Sequence, residues 1–348
     1  MEGTMKTAVM LDIGKMGFED RPIPVPKDDE VLVKIEYVGV CGSDLHYYEQ
    51  GRIGNYIVKP PFVLGHESGG TVVEVGSGVK HLKVGDKVAL EPGKTCGHCE
   101  FCRKGLYNLC PDVIFFATPP VDGVFQEYVA HEAGLCFKLP DNMDTMEGAL
   151  IEPLAVGMHA ANQGGASLGK TAVVTGSGCI GLCTMMSLKA FGVTQVYITD
   201  VQQKRLDKAL ELGATGVINS MEKDPVEEIR RLTGGRGVDI AIECSGIEKC
   251  ADQCIDMLVK NGTLVQVAYS RSGHMNINMS AVCDKEITIK SVFRYRHIYP
   301  MAIDAVAAGK INLKGIVTNT FTLDDIQNAM DQSVRDKANI VKSVIKVC

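Results

Sequence analysis

The sequence of 348 residues has no tryptophan, only 6% aromatic residues and no long apolar run. No window approaches the roughly 20 consecutive apolar residues of a membrane-spanning helix, and no apolar segment follows a basic start. The sequence also has no large excess of charge of one sign, because 36 basic and 42 acidic residues are mixed along the chain. We therefore expect a cytoplasmic protein that binds neither nucleic acid nor membrane, since both require a basic surface.

The length of the chain and its cysteine content indicate the number of domains and the role of the cysteines. At about 150 residues per domain, the chain predicts two domains. Its 13 cysteines are an odd number spread through the whole sequence. Such cysteines are typical of metal ligands and buried thiols rather than of disulfides.

The first third of the sequence predicts short β-strands joined by polar loops. Segments 31–38, 69–76 and 85–90 are apolar or alternating over strand lengths, and no helical period interrupts them. The loop at 40–47 and the tripeptide Gly65-His66-Glu67 together supply a thiol, two imidazoles and two carboxylates. This mixture suits a catalytic zinc ion, which takes three protein ligands and keeps a fourth position open.

A second metal site is predicted over about residues 92–112. Four cysteines follow the spacing C-x-x-C-x-x-C-x7-C, namely Cys96, Cys99, Cys102 and Cys110. Four thiolates around one tetrahedral ion leave no open position, so we interpret this lobe as a structural zinc site.

From residue 170 onward, strands and helices alternate, which predicts a doubly wound parallel sheet. Strand 171–175 leads directly into G-S-G-C-I-G at 176–181, and Asp200 ends the next strand. Gly176 permits the tight turn, Gly178 lets a dinucleotide diphosphate approach, and Gly181 lets the following helix pack on the strand. Asp200 would bind the adenosine ribose hydroxyls and repel a 2′-phosphate, which favours NAD over NADP.

Two further segments bear on the organisation of the chain. A helical pattern over 146–161 contains Glu152-Pro153, and a proline there is expected to kink the helix. After about residue 285 we expect the chain to leave the parallel sheet and return to the first domain with helices near 301–309 and 323–333 and a last strand at 340–347.

The chain resembles one known family. The resemblance lies in the four-cysteine lobe and in segments 40–47, 51–54, 65–67, 116–120, 152–154 and 293–295. This family is the polyol (sorbitol and xylitol) dehydrogenases of the zinc-containing medium-chain alcohol dehydrogenases. The resemblance covers nearly the whole chain and implies an α/β fold. A GroES-like β-rich catalytic domain (1–153 and 290–348) would be interrupted by a Rossmann domain (154–289), with the active site in the cleft between them. It also implies NAD-dependent, reversible oxidation of a polyol to the 2-ketose, by a homotetramer or at least a dimer.

The same resemblance implies roles for individual residues. Catalytic zinc would bind Cys41, His66 and Glu67, while Glu152 holds the zinc-bound water. Ser43 and His46 would relay the substrate proton through the cofactor ribose to solvent. The implied cofactor contacts are Ile180, Asp200, Arg205, Val267, Ala268, Tyr269, Val292, Phe293 and Arg294.

Charge counting bears on the two glutamates. One thiolate and one glutamate neutralise Zn2+, whereas two glutamate ligands would make the site anionic, so Glu67 is preferred as ligand and Glu152 as its outer partner. The swapped order remains open. Asp44 is expected to orient His66, because metal-bound histidines usually donate their other N–H to a carboxylate.

Tyr47, Phe115, Arg294 and Tyr295 are the candidate substrate contacts, because a polyol needs several donors and acceptors beyond the reacting carbon. Four alternatives remain at this point. Phe115 could be a core residue and His46 an ordinary loop histidine. The enzyme could be a threonine or butanediol dehydrogenase of the same family. The protein could also be a non-catalytic nucleotide-binding homologue, although its complete ligand set argues against this.

Overall fold

The computed structural model describes residues 2–270 and 272–348. The strands of this part of the chain are β1 (Thr4–Asp12), β2 (Lys15–Pro22), β3 (Glu30–Gly39), β4 (Arg52–Ile53), β5 (Tyr56–Ile57), β6 (Glu67–Val75), β7 (Lys87–Leu90), β8 (Gly93–Lys94), β9 (Ile114–Phe115), β10 (Tyr128–Glu132), β11 (Cys136–Lys138), β12 (Thr171–Thr175), β13 (Gln195–Asp200), β14 (Gly216–Asn219), β15 (Val238–Glu243), β16 (Leu258–Gln266), β17 (Thr288–Ser291), β18 (Val317–Thr322) and β19 (Lys342–Lys346). The helices are α1 (Gly42–Gln50), α2 (Glu100–Arg103), α3 (Thr145–Gln163), α4 (Cys179–Ala190), α5 (Gln203–Glu211), α6 (Pro225–Leu232), α7 (Glu248–Met257), α8 (Met279–Lys285), α9 (Tyr299–Ala307) and α10 (Ile326–Arg335).

The first of two compact units comprises the chain up to Glu152, Tyr299–Ala307 and Val317–Cys348. Its main sheet has seven strands in the order β11-β7-β6-β3-β19-β18, with β10 also paired to β3. Alternating apolar residues of β3, such as Val31, Val33 and Ile35, are fully buried in its core. The predicted β-rich first domain therefore has a continuous apolar core.

Strand pairing brings distant segments of this unit together. β3 and β6 are antiparallel, and their register pairs Gly39 with Glu67. β19 is antiparallel to β3 on its other side and pairs Val344 with Gly39. The loop after β3, the start of β6 and the start of β19 therefore meet at one end of the sheet.

The expectation that no helix interrupts the first third was wrong. α1 begins directly after Cys41 and runs for nine residues. Its only buried residues are Asp44, Tyr47 and Tyr48, so the helix has too short an apolar face to produce a recognisable period.

The second unit comprises Pro153–Ile298 and Ala308–Ile316. Its sheet is parallel throughout, with the strand order β14-β13-β12-β15-β16-β17. In chain order this is the 3-2-1-4-5-6 arrangement of a Rossmann fold, whose strand order reverses between β12 and β15. Ligands of such sheets bind at the carboxyl ends of the strands beside this reversal.

The chain stays in this second unit beyond the residue 285 expected from the sequence. β17 pairs in parallel with β16 and forms the edge of the Rossmann sheet. Residues up to Ile298, and again Ala308–Ile316, therefore belong to the second unit. The sequence placed all of 290–348 in the first domain because β17 is a short strand without a clear apolar alternation.

Candidate active site

Cys41, His66 and Glu67 form a metal-ligand group in the first unit. Their ligand atoms, one from each side chain, all lie within 4.8 Å of one another. Cys41 caps the start of α1, Glu67 is the first residue of β6, and His66 immediately precedes that strand. A thiolate, an imidazole and a carboxylate at this separation are a donor set that zinc accepts with one position left for another ligand.

The electrostatics of this group favour a bound cation. Burial alone would lower the pKa of His66, but the negative charge of Cys41, followed by that of Asp44, raises it to about 10. The carboxylate of Glu152, itself 5% exposed, contributes to the same rise. Several anionic groups therefore converge on one buried imidazole, a surrounding that a divalent cation would neutralise.

Asp44 supports the group through the backbone. Its carboxylate accepts hydrogen bonds from the backbone N–H groups of Cys41 and Gly65, both at 2.9 Å. The predicted hydrogen bond to His66 is not formed, since Oδ1 lies 3.8 Å from Nδ1, which is an ionic contact. The fully buried carboxylate thus joins the two chain segments that carry the ligands, and burial raises its pKa.

Lys342 is a residue of this group that the sequence analysis missed. Its ammonium forms an ion pair with the Glu67 carboxylate and donates to the backbone carbonyl of Val40 at 2.9 Å. Both side chains are almost fully buried. A lysine at the start of a strand that also contains Ser343 and Lys346 is a weak signal, and only the β3–β19 pairing shows what it contacts.

The residues around the ligands match the predicted list in part. The Phe115 ring lies 5.7 Å from the His66 ring between centroids and is buried. Tyr47 is also buried, whereas Ser43 and His46 are half-buried. Ser43 and His46 are three positions apart on α1, so they lie on the same face of that helix.

The four-cysteine lobe forms a second metal-ligand group. The sulfurs of Cys96, Cys99, Cys102 and Cys110 all lie within 4.8 Å of one another. The Cys96 sulfur is 3.6 Å from that of Cys110 and 4.0 Å from that of Cys102. A tetrahedral zinc ion with Zn–S bonds of about 2.3 Å separates its sulfurs by about 3.8 Å. The lobe therefore has the dimensions of a closed zinc site.

Backbone N–H groups donate hydrogen bonds to the cysteine sulfurs of this lobe. Hydrogen bonds from the backbone N–H groups of His98 and Cys99 lower the pKa of Cys96 to about 6. The Cys99 sulfur accepts from the backbone of Cys102 at the start of α2. Thiolate is the form that binds zinc, so the contacts of Cys96 favour the metal-binding state, whereas the pKa of Cys99 is raised and burial raises that of Cys110 to about 11.

The glycine-rich turn of the second unit joins β12 to α4. Gly176 has φ +91°, and a side chain at Gly181 would collide with the Gly176 carbonyl. Asp200 at the end of β13 accepts hydrogen bonds from the backbone N–H and hydroxyl of Ser177 at 2.7 and 2.9 Å. An Arg205 guanidinium nitrogen lies near Gly178, 3.8 Å from the position of an added Cβ. These residues form a phosphate-accepting turn with an acidic residue beside it.

The remaining predicted cofactor contacts follow the last strands of the same sheet. Val267, Ala268 and Tyr269 come directly after β16, and the Tyr269 side chain is 79% exposed. After β17, the carbon at the centre of the Arg294 guanidinium lies 4.9 Å from the centroid of the Phe293 ring. Val292 and Tyr295 are buried, and Ile180 is half-buried in the first turn of α4.

No helix in the described ranges 2–270 and 272–348 combines the length and apolar character needed to cross a membrane.

Two known families match the chain. The alcohol dehydrogenase GroES-like domain matches residues 27–141, and the zinc-binding dehydrogenase family matches residues 179–308. Sorbitol dehydrogenase from Bacillus subtilis (strain 168) is 43% identical over 341 residues, which cover 98% of this chain and 97% of that protein. Sorbitol dehydrogenase from Homo sapiens is 45% identical over 320 residues, 91% of this chain and 89% of that protein.

A solved structure, that of 2R,3R-butanediol dehydrogenase from Bacillus subtilis, is also similar. Its TM-score is 0.90 at 34% identity, and the match covers 99% of this chain and 100% of that one.

The fold and the ligand groups define a zinc-binding oxidoreductase with a dinucleotide-binding unit. The chain belongs to the zinc-binding alcohol dehydrogenase family with a GroES-like domain. The predicted family and fold class are confirmed.

Proposed function

We propose that the protein oxidises a secondary alcohol of a polyol, such as sorbitol or xylitol, to the 2-ketose, reversibly and with NAD as hydride acceptor. The observation that carries this proposal is the group of half-buried Cys41 and buried His66 and Glu67, with ligand atoms within 4.8 Å. Similarity to sorbitol dehydrogenases over at least 91% of the chain supports a polyol as substrate.

A zinc ion held by this group would supply Lewis acidity and make a substrate hydroxyl more acidic. The grouping of Glu67, rather than Glu152, with Cys41 and His66 supports Glu67 as the ligand. Glu152 then has a separate task. Its buried carboxylate contributes to the raised pKa of His66, which supports our assignment of Glu152 to orienting a water molecule or the substrate hydroxyl and accepting a proton.

Proton transfer to solvent is assigned to Ser43 and His46. Both lie on one face of α1, which starts at the ligand Cys41, and both are half-buried. A hydroxyl followed one turn later by an imidazole can pass a proton outward from a buried site. Asp44 contributes by holding the backbone of Cys41 and Gly65 and so fixing the ligand geometry.

Tyr47, Phe115, Arg294 and Tyr295 are the proposed substrate contacts. Phe115 packs beside His66 and would cover the apolar face of the carbon chain. Arg294 offers five N–H donors for the hydroxyl groups farther along the polyol. Its backbone has φ +55°, an uncommon conformation for a residue with a side chain and one that clusters at functional sites.

The preference for NAD rests on Asp200. Its carboxylate is held beside the glycine-rich turn by Ser177, and its negative charge disfavours a 2′-phosphate at the adenosine ribose. Arg205 lies near Gly178 and is assigned to the adenine side of the dinucleotide.

Oxidation of a smaller vicinal diol is the second candidate. The structural similarity to a butanediol dehydrogenase favours it, because that protein shares the fold over the whole chain. The higher identity of the two sorbitol dehydrogenases, 43% and 45% against 34%, is the reason for preferring a longer polyol.

We also infer a cytoplasmic homotetramer, or a dimer joined through the nucleotide-binding units. β17 is the edge strand of the parallel sheet, and all four of its residues are exposed. Ile289 on this strand is 43% exposed, which is typical of an edge that pairs with another copy. None of the thirteen cysteines, all of them within the described ranges, is in a disulfide, which suits a reducing compartment.

The test is a substrate panel on protein of measured zinc content. Sorbitol, xylitol, 2,3-butanediol and threonine are each offered with NAD and, in parallel, with NADP, and formation of reduced cofactor is followed. We expect the highest kcat/KM with a polyol and NAD, and no activity in a Cys41→Ser variant. Activity confined to butanediol or threonine, or none with zinc present, would refute the polyol assignment.

A further inference from the structure

Glu243, the last residue of β15, is a buried carboxylate that none of the proposed catalytic steps uses. It is fully buried and lies at the carboxyl end of the Rossmann sheet, where a dinucleotide binds. β15 lies between β12 and β16, so Glu243 is next to the glycine-rich turn on one side and to the segment 267–269 on the other.

Every polar group that contacts this carboxylate in the described structure is a donor. The backbone N–H of Ser245 donates at 2.7 Å and its hydroxyl donates as well, while the N–H of Gly246 lies 3.1 Å from each carboxylate oxygen. The Gln266 amide donates at 2.7 Å and the Thr175 hydroxyl at 3.3 Å. An ionised carboxylate matches this set because it accepts at both oxygens and donates nothing.

These contacts connect three cofactor-facing segments. Thr175 immediately precedes the turn at Gly176, and a side chain at Gly176 would meet the backbone of Cys244 and Ser245. The same Gln266 amide also donates to the Ala268 carbonyl at 2.7 Å. The backbone carbonyl of Glu243 accepts from the N–H groups of Val267 and Ala268.

We propose that Glu243 is a positioning residue for the dinucleotide, one that holds the turn after β12, the segment 244–246 and the segment 267–269 in their cofactor-binding arrangement. This inference rests on the proposed function, because it assumes that the second unit binds NAD. A glutamine at this position presents an amide donor to groups that are themselves donors, so the segments would rearrange at nearly unchanged side-chain volume.

The direction of the change in NADH affinity distinguishes positioning by Glu243 from a purely electrostatic effect of its charge. Removing a negative charge near an anionic diphosphate would by itself strengthen binding or leave it unchanged. Loss of positioning predicts weaker binding instead. We expect Glu243→Gln to raise the Kd for NADH about tenfold, as the loss of one or two well-formed hydrogen bonds would. AMP should lose less affinity than NADH, since its phosphate faces only the turn after β12, whereas NADH also extends toward the segment 267–269.

Asp239 supplies a matched control. It is a carboxylate on the same strand, and it also links β15 to β12, because its Oδ2 accepts the Thr171 N–H at 2.9 Å. Asp239 lies at the opposite, amino end of the strand, so Asp239→Asn should leave NADH affinity unchanged. A second variant, Gln266→Leu, keeps the Glu243 carboxylate but removes the amide that bonds to both this carboxylate and the Ala268 carbonyl, and it should weaken NADH binding severalfold.

The experiment measures NADH and AMP affinity of the wild type and the three variants by fluorescence and calorimetric titration. Turnover then gives KM for NAD and for the polyol separately. A raised KM for NAD with an unchanged KM for the polyol supports positioning. Wild-type affinity for NADH retained in both Glu243→Gln and Gln266→Leu overturns this inference and leaves the proposed function intact. Absence of NADH binding by the wild type would instead refute the proposed function itself.

Discussion

Replacing Glu91 by glutamine should make the first unit more stable at alkaline pH. Glu91 follows β7, is almost fully buried and accepts a hydrogen bond from the Tyr107 hydroxyl at 2.8 Å. Burial raises its pKa from 4.5 to about 7, with only partial compensation by Tyr107. The His131 Nε2–H donates to the backbone carbonyl of Glu91 at 2.8 Å, but burial lowers the pKa of this imidazole, so it adds no positive charge at neutral pH.

The direction of this pH effect follows from comparing the pKa of Glu91 in the folded chain with its pKa in the unfolded chain. A carboxyl whose folded pKa is raised contributes its full stability below pH 4.5 and loses it as the pH rises through about 7. A pKa raised from 4.5 to about 7 costs the folded state about 3 kcal/mol at pH 8 and less than about 1 kcal/mol at pH 5. Glutamine keeps the acceptor for Tyr107 and never ionises.

Thermal unfolding of zinc-loaded wild type and Glu91→Gln at pH 5 and pH 8 tests this reasoning. We expect the two proteins to be similar at pH 5 and the variant to unfold at least about 5 °C higher at pH 8. Glu49→Gln, at an exposed glutamate of the same unit, should show no such pH dependence. An equal difference at both pH values, or a variant that is less stable at pH 8, would refute the assignment of a raised pKa to Glu91.

Three further predictions concern the metal groups. Glu67→Ala should lose about one zinc ion per chain, whereas Glu152→Ala should keep both and lose turnover; the reverse pattern would exchange the roles of the two glutamates. Lys342→Met should cost the zinc-free protein about 3 to 5 kcal/mol of unfolding free energy, and zinc should recover part of it by neutralising Glu67. An equal loss with and without zinc would contradict that account. Cys99→Ser should lose the other zinc ion and lower the unfolding temperature, and unchanged zinc content would argue against a structural ion in the lobe.

Local sequence patterns predicted much of the fold and both ligand groups. The glycine-rich turn is a contiguous motif that follows a strand and opens a helix, so its position did not depend on tertiary contacts. The four lobe cysteines lie within fifteen consecutive positions, and their spacing alone suggested a common ion. The group of Cys41, His66 and Glu67 was predicted from its mixture of ligands and from family resemblance.

Features that depend on long-range pairing could not be predicted in this way. Lys342 reaches Glu67 only because β19 pairs with β3, and β3 pairs with β6. Asp44 was correctly placed near the ligands, but its partners are backbone N–H groups that no residue pattern reveals. The predicted domain boundary between 289 and 290 falls inside β17, because an exposed edge strand carries little apolar alternation that would link it to the parallel sheet.

The most direct test of the proposed function is zinc-dependent reduction of NAD by a polyol. The rate of NADH formation with sorbitol or xylitol is measured on protein with its measured zinc content, after removal of the ion from the group of Cys41, His66 and Glu67, and after zinc is returned. We predict turnover that disappears with the ion and recovers with zinc. Turnover that persists without zinc, or its absence with every polyol on fully loaded protein, would contradict the account.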